Sequence, residues 1–239
     1  MTYKRVLLML AGSALAILWL GAFTDVDLWL ARTMYSQAAR GFPLRHAWLT
    51  ETFSHVYLKN LLVMLASCVL IPAAFDCWRP RASSTPAFRQ RLRVVALSAI
   101  LVPLAISLLK QASRSHCPWD LAEFGGAESY IRLLQAALPG APAGHCMPAG
   151  HAASGLWLIS LAGLCLPRRP RTAAAVFVVA LAFGFWLGWM QQLRGAHFLT
   201  HTLWSMWLAC AIVALIQALS SLEGVLLRKP ATEVGERAL

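Results

Sequence analysis

Apolar residues fall into six runs, at 6–23, 56–75, 94–109, 152–166, 172–190 and 202–222, separated by shorter polar intervals. Their lengths approach the ~20 residues that carry a helix across a hydrocarbon core of ~30 Å. Backbone in lipid must satisfy its own hydrogen bonds, so this pattern predicts spanning helices, and an all-α six-helix membrane bundle as a single domain. The first run follows Lys4 and Arg5 and lacks a clear small-residue cleavage site. It is expected to remain as a span rather than to act as a removable leader.

The intervals are informative too. Residues 24–54 mix Asp25, Asp27, Arg32, Arg40 and Arg45 with aromatic and aliphatic positions, which predicts an amphipathic helix along the membrane interface. Prolines and serines between 79 and 86 mark a loop. Residues 110–151 are the longest polar-rich stretch, with a short helix expected around 130–137. From residue 223 onward the sequence is a short charged tail.

Composition agrees with the pattern: 59% of residues are hydrophobic and 13% charged, which excludes an ordinary soluble domain. A net charge of +11 would suit nucleic acid if it were spread over a surface. Here the basic residues sit in clusters between apolar runs, so they report topology and contact with anionic headgroups. With six spans, both termini share a side with the clusters at 79–93 and 168–171, the larger part of the 21 Lys and Arg. That side is expected to be cytoplasmic, as in a bacterial inner membrane, and the opposite face periplasmic.

Three polar clusters then fall on the outer face. Lys110, Arg114, His116 and Cys117 close the third run; His145, Cys146, Pro148, Ala149, Gly150 and His151 open the fourth; Arg194, His197 and His201 join the fifth and sixth. Ionisable groups at such positions are costly and point to function. The clusters supply fixed cations, a glycine turn at a helix start whose N–H groups face an anion, and imidazoles able to exchange protons. That inventory suits phosphoryl transfer. A neutral imidazole serves as nucleophile, cations take up charge on the phosphoryl oxygens, and a second group protonates the leaving oxygen.

The order and spacing resemble the type 2 phosphatidic acid phosphatase family, which carries Lys-x6-Arg-Pro, Pro-Ser-Gly-His and Ser-Arg-x5-His-x3-Asp. Lys110 and Pro118 match the first motif, Pro148, Gly150 and His151 the second, and His197 the third. The departures are Cys117 for Arg, Ala149 for Ser, Met190 and Gln191 for Ser-Arg, and His201 for Asp. The resemblance implies a lipid phosphate phosphatase with His197 as nucleophile, His151 as acid or base, Lys110 as phosphate clamp, and no metal or other cofactor. Undecaprenyl pyrophosphate, phosphatidic acid, phosphatidylglycerol phosphate and lipid A phosphates are the substrates it implies. Transfer of the phosphoryl group to another lipid is a close variant.

Arg114 and Arg194 each lie three residues from a lost motif arginine, within reach of the same pocket from a neighbouring helical turn. Asp120, Glu123 or Glu128 could orient His197 where the family uses Asp, and His201 reads equally as a catalytic or an interface residue. Cys117 and Cys146 alone among six cysteines belong to the outer side, where an oxidising compartment would join them; two free thiols are the alternative. A metal site is a second reading, because His197 and His201 are four apart, with His145 and His151 to complete it. Against it, Lys110 and Arg194 repel a cation. A lipid-binding scaffold without catalysis is the third.

Overall fold

The computed structural model describes residues 3–80, 84–136 and 139–226, with side chains followed to residue 222. Among them, helices α1 (Tyr3–Phe23), α2 (Val26–Met34), α3 (Leu49–Trp78), α4 (Pro86–Ala112), α5 (Gly150–Cys165), α6 (Pro170–Leu193) and α7 (Leu199–Leu226) build an all-α bundle. Five of these, α1, α3, α4, α6 and α7, are long and apolar enough to cross a membrane. Their large outward side chains stay exposed, among them Leu7, Leu15, Met64, Ile71, Val179 and Leu215, as lipid-facing positions do.

The fourth apolar run behaves differently from the other five. It forms α5, which starts at Gly150, tightens to 3₁₀ geometry over Trp157–Leu161 and ends at Cys165. At ~1.5 Å per residue such a helix covers roughly 24 Å, short of a full hydrocarbon core. It is instead the most enclosed element, with Ala152, Leu156 and Ile159 buried against Val95, Val102 and Ile106 of α4 and Ala209 and Val213 of α7. Glycines allow α6 to approach closely. A Cβ on Gly184 would meet Leu156 Cδ2 at 2.2 Å, and one on Gly155 would meet Leu187 Cδ1 at 2.6 Å. Small residues at such crossings let packing replace the hydrophobic drive that lipid does not supply.

Three expected boundaries move. The interfacial helix is only α2, and residues 35–48 are turns held by bonds such as Ser36 N–H to Gly41 O at 2.9 Å. The second span begins near Leu49, earlier than residue 56, because Leu49–Leu58 winds in wide π turns that run straight into the apolar part. The helix expected around 130–137 is absent through residue 136. Leu134 takes the left-handed φ of 72°, which stops a right-handed helix. Leu133 N–H donates to Gly21 O at 3.0 Å, and Arg132 pairs with Asp25. Bonds to the α1–α2 corner thus replace local helical ones. Residue 137 and the tail beyond residue 226 lie outside the described residues.

The C-termini of α4 and α6, the N-termini of α5 and α7 and the first turns of α3 meet at one end of the bundle, as the cross-links below show. One of these fasteners comes from α2. Its buried Asp27 accepts from Thr200 N at 3.0 Å and from the Thr200 hydroxyl, capping the first turn of α7 from a distant helix. Burial raises the Asp27 pKa despite those bonds.

Candidate active site

His197 sits in the turn between α6 and α7. Gly195 N–H donates to Gln192 O and Ala196 N–H to Gln191 O, both at 2.9 Å, closing the end of α6. Gly195 has φ 71°, and a Cβ there would stand 2.3 Å from the Phe42 ring, so only glycine fits this turn. Trp119 N–H donates to Gly195 O at 3.0 Å and ties the loop after α4 to it. The imidazole is buried, with Nδ1 3.5 Å from Cys146 Sγ and its ring 5.8 Å from that of His201. Burial, and then the positive charge of His201, Lys110 and His151, holds the His197 pKa well below the usual 6.5. The ring is neutral at ordinary pH, and Lys110 and His151 lie near enough to act on it.

His151 projects from the first turn of α5 and is also buried. Its Nε2 lies 3.1 Å from Ser54 Oγ, and its ring centroid is 4.9 Å from that of His55, the two rings tilted by 37°. Both partners come from the π-wound start of α3; Ser54 falls at the end of the stretch expected to lie along the interface, and His55 just beyond it. Wide turns interrupting a helix often mark functional positions, but the hydrophobic pattern does not reveal them. Lys110, at the end of α4, lies over the start of α5, where a Cβ on Gly150 would be 3.7 Å from its Cδ. Ala149 is buried and its N–H donates to His201 O at 3.1 Å. Ser205 Oγ donates to both Ala149 O and His201 O at 3.0 Å. The start of α5 is therefore fastened to the start of α7, which keeps the two histidine-bearing turns in register.

The guanidinium of Arg194 is buried at the rim. Nε donates to Arg45 O at 2.8 Å, and the terminal nitrogens donate to Gln191 Oε1 and Glu51 Oε1, each at 3.1 Å. Its charge reaches His151 and His55. Arg114 is exposed and lies further out. It lines a cavity of about 520 Å³ between α1, α4, α7 and residues 130–135, which touches His201 but not His151, His197 or Lys110. His201 bonds through Nε2 to Ser115 Oγ at 3.0 Å, while its buried Nδ1 has no hydrogen-bond partner.

None of the three carboxylates considered as a brace for His197 is turned to it. Asp120 accepts from Cys117 N–H at 3.2 Å, Glu123 pairs with Arg32, and Glu128 lies 3.7 Å from His116 Nε2. The set proposed for a metal, His145, His151, His197 and His201, does not bring its ligand atoms together among the described residues. Among the described residues, the group with metal-ligand geometry is Cys117, Cys146 and His197. Cys117 and Cys146 are joined in a disulfide, with Cα atoms 5.3 Å apart, so their sulfurs are not thiolate ligands.

Fold and site together define a helical membrane protein in which buried imidazoles and neighbouring cations gather where five helix ends meet. A family model described as PAP2 superfamily matches residues 91–222, more than half of the chain. The chain belongs to that superfamily, and phosphatase-type chemistry on phosphate esters follows from the membership. No curated protein and no solved structure matches the chain. The matched region contains Lys110, His151 and His197, while Ser54, His55 and Glu51 lie before it.

Proposed function

We propose that the protein is a metal-independent lipid phosphate phosphatase of a bacterial inner membrane, with α5 completing a sixth crossing inside the bundle so that both termini are cytoplasmic and the histidine site faces the periplasm. The observation that carries this reading is the burial of His197 with Lys110 and His151 near enough for their charge to lower its pKa. A site of this charge gains from a phosphate dianion, which supplies the missing negative charge and raises the basicity of the imidazoles around it.

In the reaction, His197 Nε2 attacks phosphorus and the bond from phosphorus to the leaving oxygen breaks. His151, charged by proton uptake when the dianion enters, gives its proton to that oxygen. Lys110, Arg194 and the free N–H groups of Gly150 and His151 take up charge on the three remaining oxygens. Neutral His151 next accepts a proton from water as the water oxygen attacks phosphorus. The phosphorus–nitrogen bond breaks and inorganic phosphate leaves. His201 braces the site by holding the Ala149 N–H and Ser115.

Positive charge clustered on the opposite side of the bundle supports the orientation. The test is phosphate release by the detergent-purified protein from a panel of lipid mono- and pyrophosphates. Turnover that persists in EDTA and is lost in His197→Ala is expected. Turnover unchanged in His197→Ala would overturn the reading.

A further inference from the structure

We infer that the Cys117–Cys146 disulfide orients the nucleophilic imidazole, with Cys146 Sγ doing for His197 what a carboxylate does elsewhere in the family. The inference rests on the proposed role of His197 and adds a positioning residue to it. An imidazole nucleophile must present one bare nitrogen, and which nitrogen is bare depends on what the other one meets. In this chain His201 replaces the family's carboxylate and turns its bonded nitrogen to Ser115, leaving Nδ1 unpaired. Asp120, Glu123 and Glu128 are engaged elsewhere. Cys146 faces the His197 ring with two groups: its Sγ lies 3.5 Å from Nδ1, and its backbone also acts on the imidazole.

A disulfide sulfur carries no hydrogen, so in this contact it only accepts. The contact therefore favours the tautomer with the proton on Nδ1 and Nε2 bare for phosphorus. The sulfur is well placed to hold this state. Cys146 is wholly buried, its Sγ rests 3.1 Å from Ala196 O, and the other half of the bridge leads through Trp119 N–H to Gly195 O. The bridge thus clamps the turn that carries His197 from both sides. Sulfur is a weaker acceptor than a carboxylate, so its contribution lies in fixing the tautomer and ring angle rather than in charge.

The experiment separates the sulfur from the crosslink. Cys117→Ala breaks the bridge but leaves the Cys146 sulfur, whereas Cys117→Ala/Cys146→Ala removes both, and Cys117→Ala/Cys146→Ser restores an oxygen acceptor. All three lack the crosslink, so a purely structural staple makes them equal. The double alanine variant is expected to lose about ten-fold in kcat relative to Cys117→Ala with KM unchanged, the size seen when a partner orienting an imidazole is removed. The serine variant should recover most of that loss. Nitrogen-15 NMR of labelled histidine should show the Nδ1–H tautomer of His197 in the native protein and a mixture in the double alanine variant. Equal kcat in all three variants, with the same tautomer throughout, would reduce the disulfide to a staple. Activity surviving in His197→Ala would instead remove the underlying reading, a separate outcome.

Discussion

Arg194 donates to the side-chain oxygen of Gln191, three residues earlier on the same turn, at 3.1 Å. Gln191 stands where the motif of the resembled family carries arginine, and the Arg194 guanidinium lies within hydrogen-bond distance of that position. Three-residue spacing on a helix makes this geometry natural, and the bond is its direct expression. Two further bonds, to Arg45 O and Glu51, use the fork of the guanidinium on different partners.

Arg194→Ala should therefore lower kcat/KM by roughly 10²–10³, the usual loss when a fixed donor to a developing phosphoryl charge is removed. Arg194→Lys should recover little, because one ammonium cannot reach three acceptors set in a planar fork. Steady-state kinetics on a lipid phosphate measure both. Recovery to within a factor of two by lysine would show that charge alone matters here.

The contact between Ser54 Oγ and His151 Nε2 at 3.1 Å gives a second prediction. On the proposed role of His151 as acid, Ser54→Ala should reduce kcat about ten-fold and leave KM nearly unchanged, since the hydroxyl steadies that imidazole. Ser54→Thr keeps the hydroxyl and should lose less. Single-turnover rates of phosphohistidine formation locate the loss in the first step.

How far this site could be read from sequence depends on which side of the pocket is considered. Lys110, His151, His197 and Arg194 stand out because ionisable groups interrupt apolar runs, and their order carries the family pattern. Ser54 and His55 do not, because a serine and a histidine in a mixed amphipathic stretch look like ordinary interface residues. The π-wound start of α3 buries Ser54 against His151, while His55 stays exposed with its ring 4.9 Å from that of His151. Similarly, the missing helix at 130–136 reflects bonds to Gly21 and Asp25, which lie more than a hundred residues away in sequence. Hydrophobic runs reveal which helices exist; they cannot reveal that α5 is enclosed by its neighbours and needs no full membrane length.

The depressed pKa of His197 sets a pH dependence. Burial and the surrounding positive charge keep the folded-state value well below 6.5, so the unfolded chain binds the proton first as pH falls. Stability from this group is then fully present above about 6.5 and is lost as pH drops below it. Thermal unfolding of the native protein should show a steeper acid decline between pH 6.5 and 5 than that of His197→Gln. Parallel declines would place the acid sensitivity in other groups.

Asp27 gives a stability prediction free of catalysis. Its carboxyl accepts from the Thr200 N–H and hydroxyl, yet burial raises its pKa, so the charged form is held at a cost. Asp27→Asn keeps an acceptor for the N–H without the buried charge and should change stability little. Asp27→Ala leaves the first turn of α7 uncapped and should cost about 1–2 kcal/mol. Detergent-phase thermal unfolding distinguishes them, and equal loss in both variants would show that the charge itself is required.

Gly195 offers the sharpest local test, because its backbone and its surroundings both forbid a side chain. The φ of 71° strains any L-residue, and the Phe42 ring occupies the space a Cβ would need. Phe42 is itself locked among Leu28, Leu121, Phe124 and Phe198, so the ring has little room to yield. Gly195→Ala must shift the turn, and His197 is only two residues further on. The substitution is expected to cost more than about 1 kcal/mol in stability. It should lower kcat at least ten-fold, since a displacement of about 1 Å at a reacting atom is enough for a larger loss. Gly12→Ala on α1 is the control: nothing lies within 4 Å of its added Cβ, and neither stability nor kcat should fall. Native kcat in Gly195→Ala would mean that the turn can carry its histidine in another conformation, and the fixed geometry argued for the nucleophile would have to be given up.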